Sequence, residues 1–146
     1  MYFFILTLIF PLLYPVPQTT DGEKQVLQLV ENFFIALEKQ DTTAFKNIFL
    51  KDARNYAVRD VKDSVIVRSQ PSSGFRFTAG QVLKERLRKK TTIAKIEGRI
   101  AMVWAPYDLW INDTFSHCGV DVFTLIKTSE GWRIASIAYT MEKTGC

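Results

Sequence analysis

GRIAMVWAPYDLWINDTFSHCGVDVFTLIKTSEGWRIASIAYTM, residues 98–141, is the stretch whose reading decides the fold. Three runs rich in β-branched and aromatic residues are joined by two turn signals, Ile111-Asn112-Asp113-Thr114 and Thr128-Ser129-Glu130-Gly131. This pattern predicts a three-stranded antiparallel meander. In the first run one parity holds Ala101, Val103, Ala105, Tyr107 and Leu109, and the other holds Ile100, Met102, Trp104, Pro106 and Trp110. Both faces are apolar, and the next two runs read the same way. A sheet with one wet face alternates polar with apolar residues, so both faces of this one should be covered. Helices from the rest of the chain supply one cover. A homodimer packed through the outer sheet face is the economical cover for the other.

Upstream of the meander, Thr91 to Ile96 reads as a further strand. Thr78-Ala79-Gly80-Gln81 fits a capping box and predicts a helix with Val82, Leu83 and Leu87 inward and the basic residues of 84–90 toward water. From Asp52 to Gln70 the apolar positions suggest two short edge strands, with Lys62-Asp63-Ser64 as the turn, followed by a loop at Pro71-Ser72-Ser73-Gly74. The first helix opens on a capping box, Thr20 to Glu23, and carries Val26, Leu27, Val30, Phe33, Phe34 and Leu37 at helical spacing. Asp41 can cap a second, shorter helix through Phe45, Ile48 and Phe49. The expected architecture is therefore α+β: a cone-shaped roll in which about three helices of the N-terminal half pack on a curved, mainly antiparallel sheet. A chain of 146 residues suits one such domain, assigned to residues 21–146.

Residues 1–20 begin with an apolar run, Met1 to Tyr14, and a Pro-rich exit, Pro15-Val16-Pro17-Gln18. The run is too short for a comfortable helical span and reads as a signal peptide or apolar tail, although no basic residue precedes it. A secreted or periplasmic location is the corresponding expectation, with no stable membrane span. The net charge of +4 is densest at Lys84-Glu85-Arg86-Leu87-Arg88-Lys89-Lys90. A solvated helix end explains that run better than a nucleic-acid contact. Two cysteines, Cys118 and Cys146, fit no zinc or redox spacing, and one histidine cannot complete a His-rich metal site. No metal or cofactor is expected. In an exported chain a disulfide between the two cysteines is chemically permitted. Asn112-Asp113-Thr114 is a glycosylation sequon in a predicted turn, or simply turn chemistry.

Several blocks together resemble the nuclear transport factor 2-like superfamily, and within it the SnoaL-like, lumazine-binding type of small domain. They are Asp52-Ala53-Arg54, Val103 to Tyr107, Ser116 to Val120, Phe123 to Lys127, Gly131 to Ile134 and the closing Gly145-Cys146. The resemblance spans about Glu23 to Cys146. It implies a cone with a pocket, in a superfamily that includes ketosteroid isomerases, polyketide cyclases, dehydratases and non-catalytic binding or dimerisation modules. An isomerase-like site would carry a carboxylate a few residues after the Asp-Ala pair, where this chain has Asn55-Tyr56-Ala57-Val58. It would also carry a tyrosine in the first helix, which has none.

Candidate site residues follow from residue chemistry. His117 is the only histidine and would titrate in the range useful for acid–base work. Asp121 shares its strand face and could orient its ring. Trp104, Tyr107 and Trp110 crowd one strand with aromatic surface and polar handles suited to a flat ligand. Tyr56, Asp60 and Arg54 could project to the mouth of the cone. The leading expectation is a protein that binds a small apolar or aromatic ligand. The alternatives are an isomerase, cyclase or dehydratase using His117, and a structural dimerisation module whose cone is filled by its own aromatic side chains.

Overall fold

The computed structural model describes residues 20–146, so the apolar N-terminal run lies outside the described residues. The elements in order are α1 (Asp21–Lys39), α2 (Thr42–Ile48), β1 (Phe49–Val61), β2 (Ser64–Pro71), β3 (Leu83–Leu87), β4 (Ile93–Glu97), β5 (Ile100–Ile111), β6 (Thr114–Thr128) and β7 (Gly131–Thr140). Helix α1 starts as its capping box dictates: the Glu23 amide donates to Thr20 Oγ1 at 3.2 Å, and the Thr20 amide donates to Glu23 Oε2 at 2.7 Å. Asp41 caps α2 by accepting from the Ala44 amide at 2.9 Å. The stripe Val26, Val30, Phe33, Phe34 and Leu37 is buried against the sheet, where it meets Val103, Phe123, Leu125 and Ile134. Among the described residues no helix is long and apolar enough to cross a membrane.

The strands form one curved, open, mixed sheet in the order β2-β1-β7-β6-β5-β3, with β4 pairing further along the β5 edge. The meander is β5, β6 and β7, antiparallel throughout. Only β1 and β7 run parallel, which makes the sheet mainly antiparallel. Strand β1 is therefore interior rather than an edge, and it is longer than its sequence suggests, at 13 residues. Its hairpin to β2 turns at Lys62, whose φ is 54°.

The expected third helix does not form over residues 78–90, leaving two α-helices among the described residues. Residues 83–87 form a strand paired antiparallel to β5, with Leu83 opposite Ile111 and Leu87 opposite Tyr107. Leu83 and Leu87 are four apart, so they share a face in a helix and in a strand alike. The free edge of β5 decides between the two. The supposed capping box is instead a turn, in which Gly80 takes a φ of 74° and the Asn112 side chain bonds Gly80 and Val82. The basic residues that follow are tied down locally. Arg86 pairs with Glu38, Lys89 with Glu31 and Arg88 with Asp108.

Helices cover the concave face only. Ala101, Val103, Ala105, Tyr107 and Leu109 are buried there, while Ile100, Met102 and Trp104 stand exposed on the convex face. A disulfide joins Cys118 in β6 to Cys146 in the C-terminal tail, with a Cα–Cα distance of 5.8 Å. Antiparallel backbone bonds between Cys118 and Glu142 hold the tail along β6.

Candidate functional site

A cavity of about 160 Å³ opens between α1, α2 and the concave face of the sheet. That volume is comparable to one that holds a single benzene ring. Its apolar wall comes from Phe33, Leu37, Phe45, Phe75 and Leu109. Phe45 stacks on Phe75 at 4.9 Å and meets Phe33 at 5.5 Å, so the aromatic wall is packed into place. The polar groups on the opposite side are Asn55, Glu85, Tyr107, His117, Asp121 and Tyr139.

Strand register places these groups in two rows on the concave face. Glu85, Leu109 and His117 lie in one row across β3, β5 and β6. Asp121 lies between Ala105 and Tyr139 on the neighbouring strands. The small Ala105 leaves room in front of Asp121. Gly119 leaves room for Tyr107: a Cβ added there would lie 2.9 Å from the Tyr107 ring and 2.2 Å from the Thr140 carbonyl oxygen. The ring crosses β6 through that gap, and its hydroxyl donates to the Thr140 carbonyl at 2.6 Å.

Asp121 is 3% exposed, and no N–H or O–H among the described residues reaches its Oδ2. Its polar neighbour is the carboxyl of Glu85. With Asp121 buried and Glu85 half-buried beside it, the two carboxylates cannot both ionise cheaply, so the stable arrangement keeps a proton on Asp121 that is donated to Glu85. Burial, then the charge of Glu85 and this hydrogen bond, hold Asp121 well above the usual carboxylate range. Burial pushes Glu85 up to about 7, opposed by the hydrogen bond from Asp121. Tyr107 is pushed upward by burial and by the two carboxyls, so its phenol stays protonated.

His117 lies in the same cavity, but Asp121 does not orient its ring. Its Nδ1 is 2.9 Å from Ser116 Oγ, and its ring meets Tyr107 edge-on at 5.9 Å. Burial, followed by the charge of Lys143, lowers its pKa and favours the neutral imidazole. Asn55 lines the cavity and accepts from Ser72 Oγ at 2.8 Å.

Tyr107, His117 and Asp121 are thus brought together, whereas Trp104, Trp110, Tyr56 and Arg54 are not part of the cavity. Trp104 and Trp110 belong to the parity opposite Tyr107 and stand on the convex face, Trp104 at 43% exposure and Trp110 against Phe115. Tyr56 and Arg54 have the parity opposite Asn55, and Arg54 bonds Ser69 on the neighbouring strand. Sequence reading missed Glu85, Tyr139 and Asn55. Glu85 shares strand parity with Leu83 and Leu87, a signal that counts only once the segment is known to be a strand.

Three solved structures share the fold at identities that speak to fold alone. A Nostoc punctiforme protein of unknown function with a cystatin-like fold superposes with a TM-score of 0.65 at 12% identity, covering 88% of this chain and 97% of its own. The beta subunit of a putative aromatic-ring-hydroxylating dioxygenase from Novosphingobium aromaticivorans gives 0.65 at 11%, covering 82% and 88%. A putative dehydratase from the NTF2-like family of Streptomyces avermitilis gives 0.58 at 13%, covering 81% and 94%. No curated protein matches the chain in sequence. The two-helix, curved-sheet cone and the match of residues 21–140 to the family model described as "Putative lumazine-binding" together establish that the chain belongs to that family, within the NTF2-like, cystatin-like folds.

Proposed function

We propose that the protein binds a small, largely apolar or aromatic molecule in the concave cavity, with a polar edge directed at the Glu85–Asp121 pair. The observation that carries this reading is the buried Asp121 carboxyl, beside the half-buried Glu85 and facing an aromatic-walled space, with Asp121 Oδ2 lacking a donor. An oxygen so placed gains a partner from any ligand N–H or O–H, and such a partner contributes more in a dry site than in water. The test is thermal unfolding of the full chain with phenol, indole and lumazine, for the wild type and for Leu83→Phe, which narrows the cavity. A bound compound at about 100 times its Kd adds about 2.7 kcal/mol and raises the melting temperature of the wild type only. No shift with any of the three contradicts the reading.

A second reading, proton transfer of the isomerase, cyclase or dehydratase type, is favoured by Glu85 being pushed up to about 7. A carboxyl poised there can accept a proton and return it near neutral pH. The pair Glu85–Asp121 takes the acid–base role that the sequence suggested for His117. Turnover that disappears in Glu85→Gln while binding persists would select this reading.

Export to an oxidising compartment, secreted or periplasmic, fits both readings. It is supported by the Cys118–Cys146 disulfide and by the charge-free residues 1–17. A homodimer through the convex face is supported by the exposed Ile100, Met102, Trp104 and Ile126.

A further inference from the structure

The inner cavity adjoins a larger cleft of about 470 Å³ on the concave side of the β1–β2 hairpin. Asn55, Gln70, Tyr139 and Met141 line both spaces. Beyond them the cleft changes character, because Arg59 and Arg68 contribute its outer wall. The register explains their placement: Arg68 lies opposite Ala57 and Arg59 opposite Ile66, so both arginines share the face that carries Asn55. Neither guanidinium has an ion-pair partner among the described residues, whose salt bridges all lie elsewhere. Asp60 has the other parity and faces away. Arg68 lies on the edge strand β2, and Arg59 lies just past the last pair of β1 with β7, Val58 opposite Thr140.

The two spaces differ in charge: the inner one ends on a carboxyl pair that holds a proton, while the outer one presents two guanidinium cations. Resting on the cavity-binding reading above, we propose that the ligand is an amphipathic organic anion, its ring or short alkyl head in the inner cavity and its anionic group held by Arg59 and Arg68. A strand rises about 3.3 Å per residue, so the anion would lie roughly 7–13 Å beyond the level of Asn55. Guanidinium binds carboxylate and phosphate by paired N–H donors, so either terminal group suits the cleft.

The test is calorimetric titration of the full chain at low salt with 6-phenylhexanoate, 6-phenylhexyl phosphate, the uncharged 6-phenylhexan-1-ol, and inorganic phosphate alone. The expected result is that one of the amphiphilic anions binds at least about tenfold tighter than the alcohol. Arg59→Gln/Arg68→Gln should then bring that anion to the affinity of the alcohol and leave the alcohol unchanged. Which of the two anions shows the gain identifies the terminal group. Equal affinity for alcohol and anions overturns the proposal while leaving cavity binding intact. So does a double variant that weakens alcohol and anion alike. Inorganic phosphate binding as tightly as the amphiphile reduces the cleft to a plain anion site and also overturns it. If neither alcohol nor anion binds, the proposal falls, and thermal unfolding with phenol, indole and lumazine decides the cavity reading separately.

Discussion

Glu85→Gln should stabilise the protein at pH 8 and leave its stability unchanged at pH 4. In the native state burial raises Glu85 from 4.5 to about 7, and burial with the neighbouring charge raises Asp121. Across that interval the folded protein holds protons that the unfolded chain has released, and linkage then makes stability fall as pH rises. The contribution is fully present below about pH 4 and is lost as pH climbs through about 7. A tenfold change in proton affinity is worth about 1.4 kcal/mol, so raising Glu85 from 4.5 to about 7 corresponds to about 3 kcal/mol. Glutamine keeps the shape, carries no charge and offers Asp121 an N–H, so the variant should lack most of this slope. His117 works in the opposite direction, since a lowered histidine gains stability as pH rises through 6.5. It is present in both proteins and cancels from the difference. Urea unfolding at pH 4, 6 and 8, followed by tryptophan fluorescence, measures that difference. A difference that stays flat with pH, or a wild type that gains stability from pH 5 to 8 as fast as the variant, would refute the raised Glu85 carboxyl beside Asp121.

Three further outcomes follow from the packing. Cys146→Ser should lower stability by about 3–4 kcal/mol, from loop entropy over the sequence separation of 28, with the tail still paired to Cys118; urea midpoints with and without reductant measure it. Gly119→Ala forces a Cβ to 2.2 Å from the Thr140 carbonyl oxygen and against the Tyr107 ring, and should cost about 2 kcal/mol or more; a midpoint within experimental error of the wild type would contradict the placement of that ring. Trp104→Glu, on the convex face where Trp104 is 43% exposed, should convert a dimeric wild type to a monomer in sedimentation velocity; a wild type that is already monomeric would remove the dimer proposal.

The meander was legible because a period of two, with turn residues between runs, has few other solutions. The same alternation also divided the aromatic residues: Tyr107 falls with Ala105 and Leu109, while Trp104 and Trp110 fall with Met102, and the cavity follows that division. The three aromatics are close in sequence, but parity separates Tyr107 from Trp104 and Trp110. The segment 83–87 was not decidable from spacing, since Leu83 and Leu87 satisfy both periods and only the open edge of β5 selects a strand. Glu85 was lost with it, for a lone acid in a basic run reads as a surface residue until its neighbours across the sheet are known. The pairing of Glu85 with Asp121 spans two strands distant in sequence, and no local pattern reports such a contact. Cys118 and Cys146 were likewise chemically compatible but could be joined only once the tail was seen to run along β6.

The most direct test of the central claim is carbon-13 NMR of the side-chain carboxyls of Asp121 and Glu85, titrated with pH and then with phenol, indole and lumazine. The account predicts that Asp121 remains protonated through neutral pH and that both resonances shift saturably with at least one of these compounds. Two carboxyls titrating in the ordinary acidic range, or resonances unmoved by all three compounds, would contradict it.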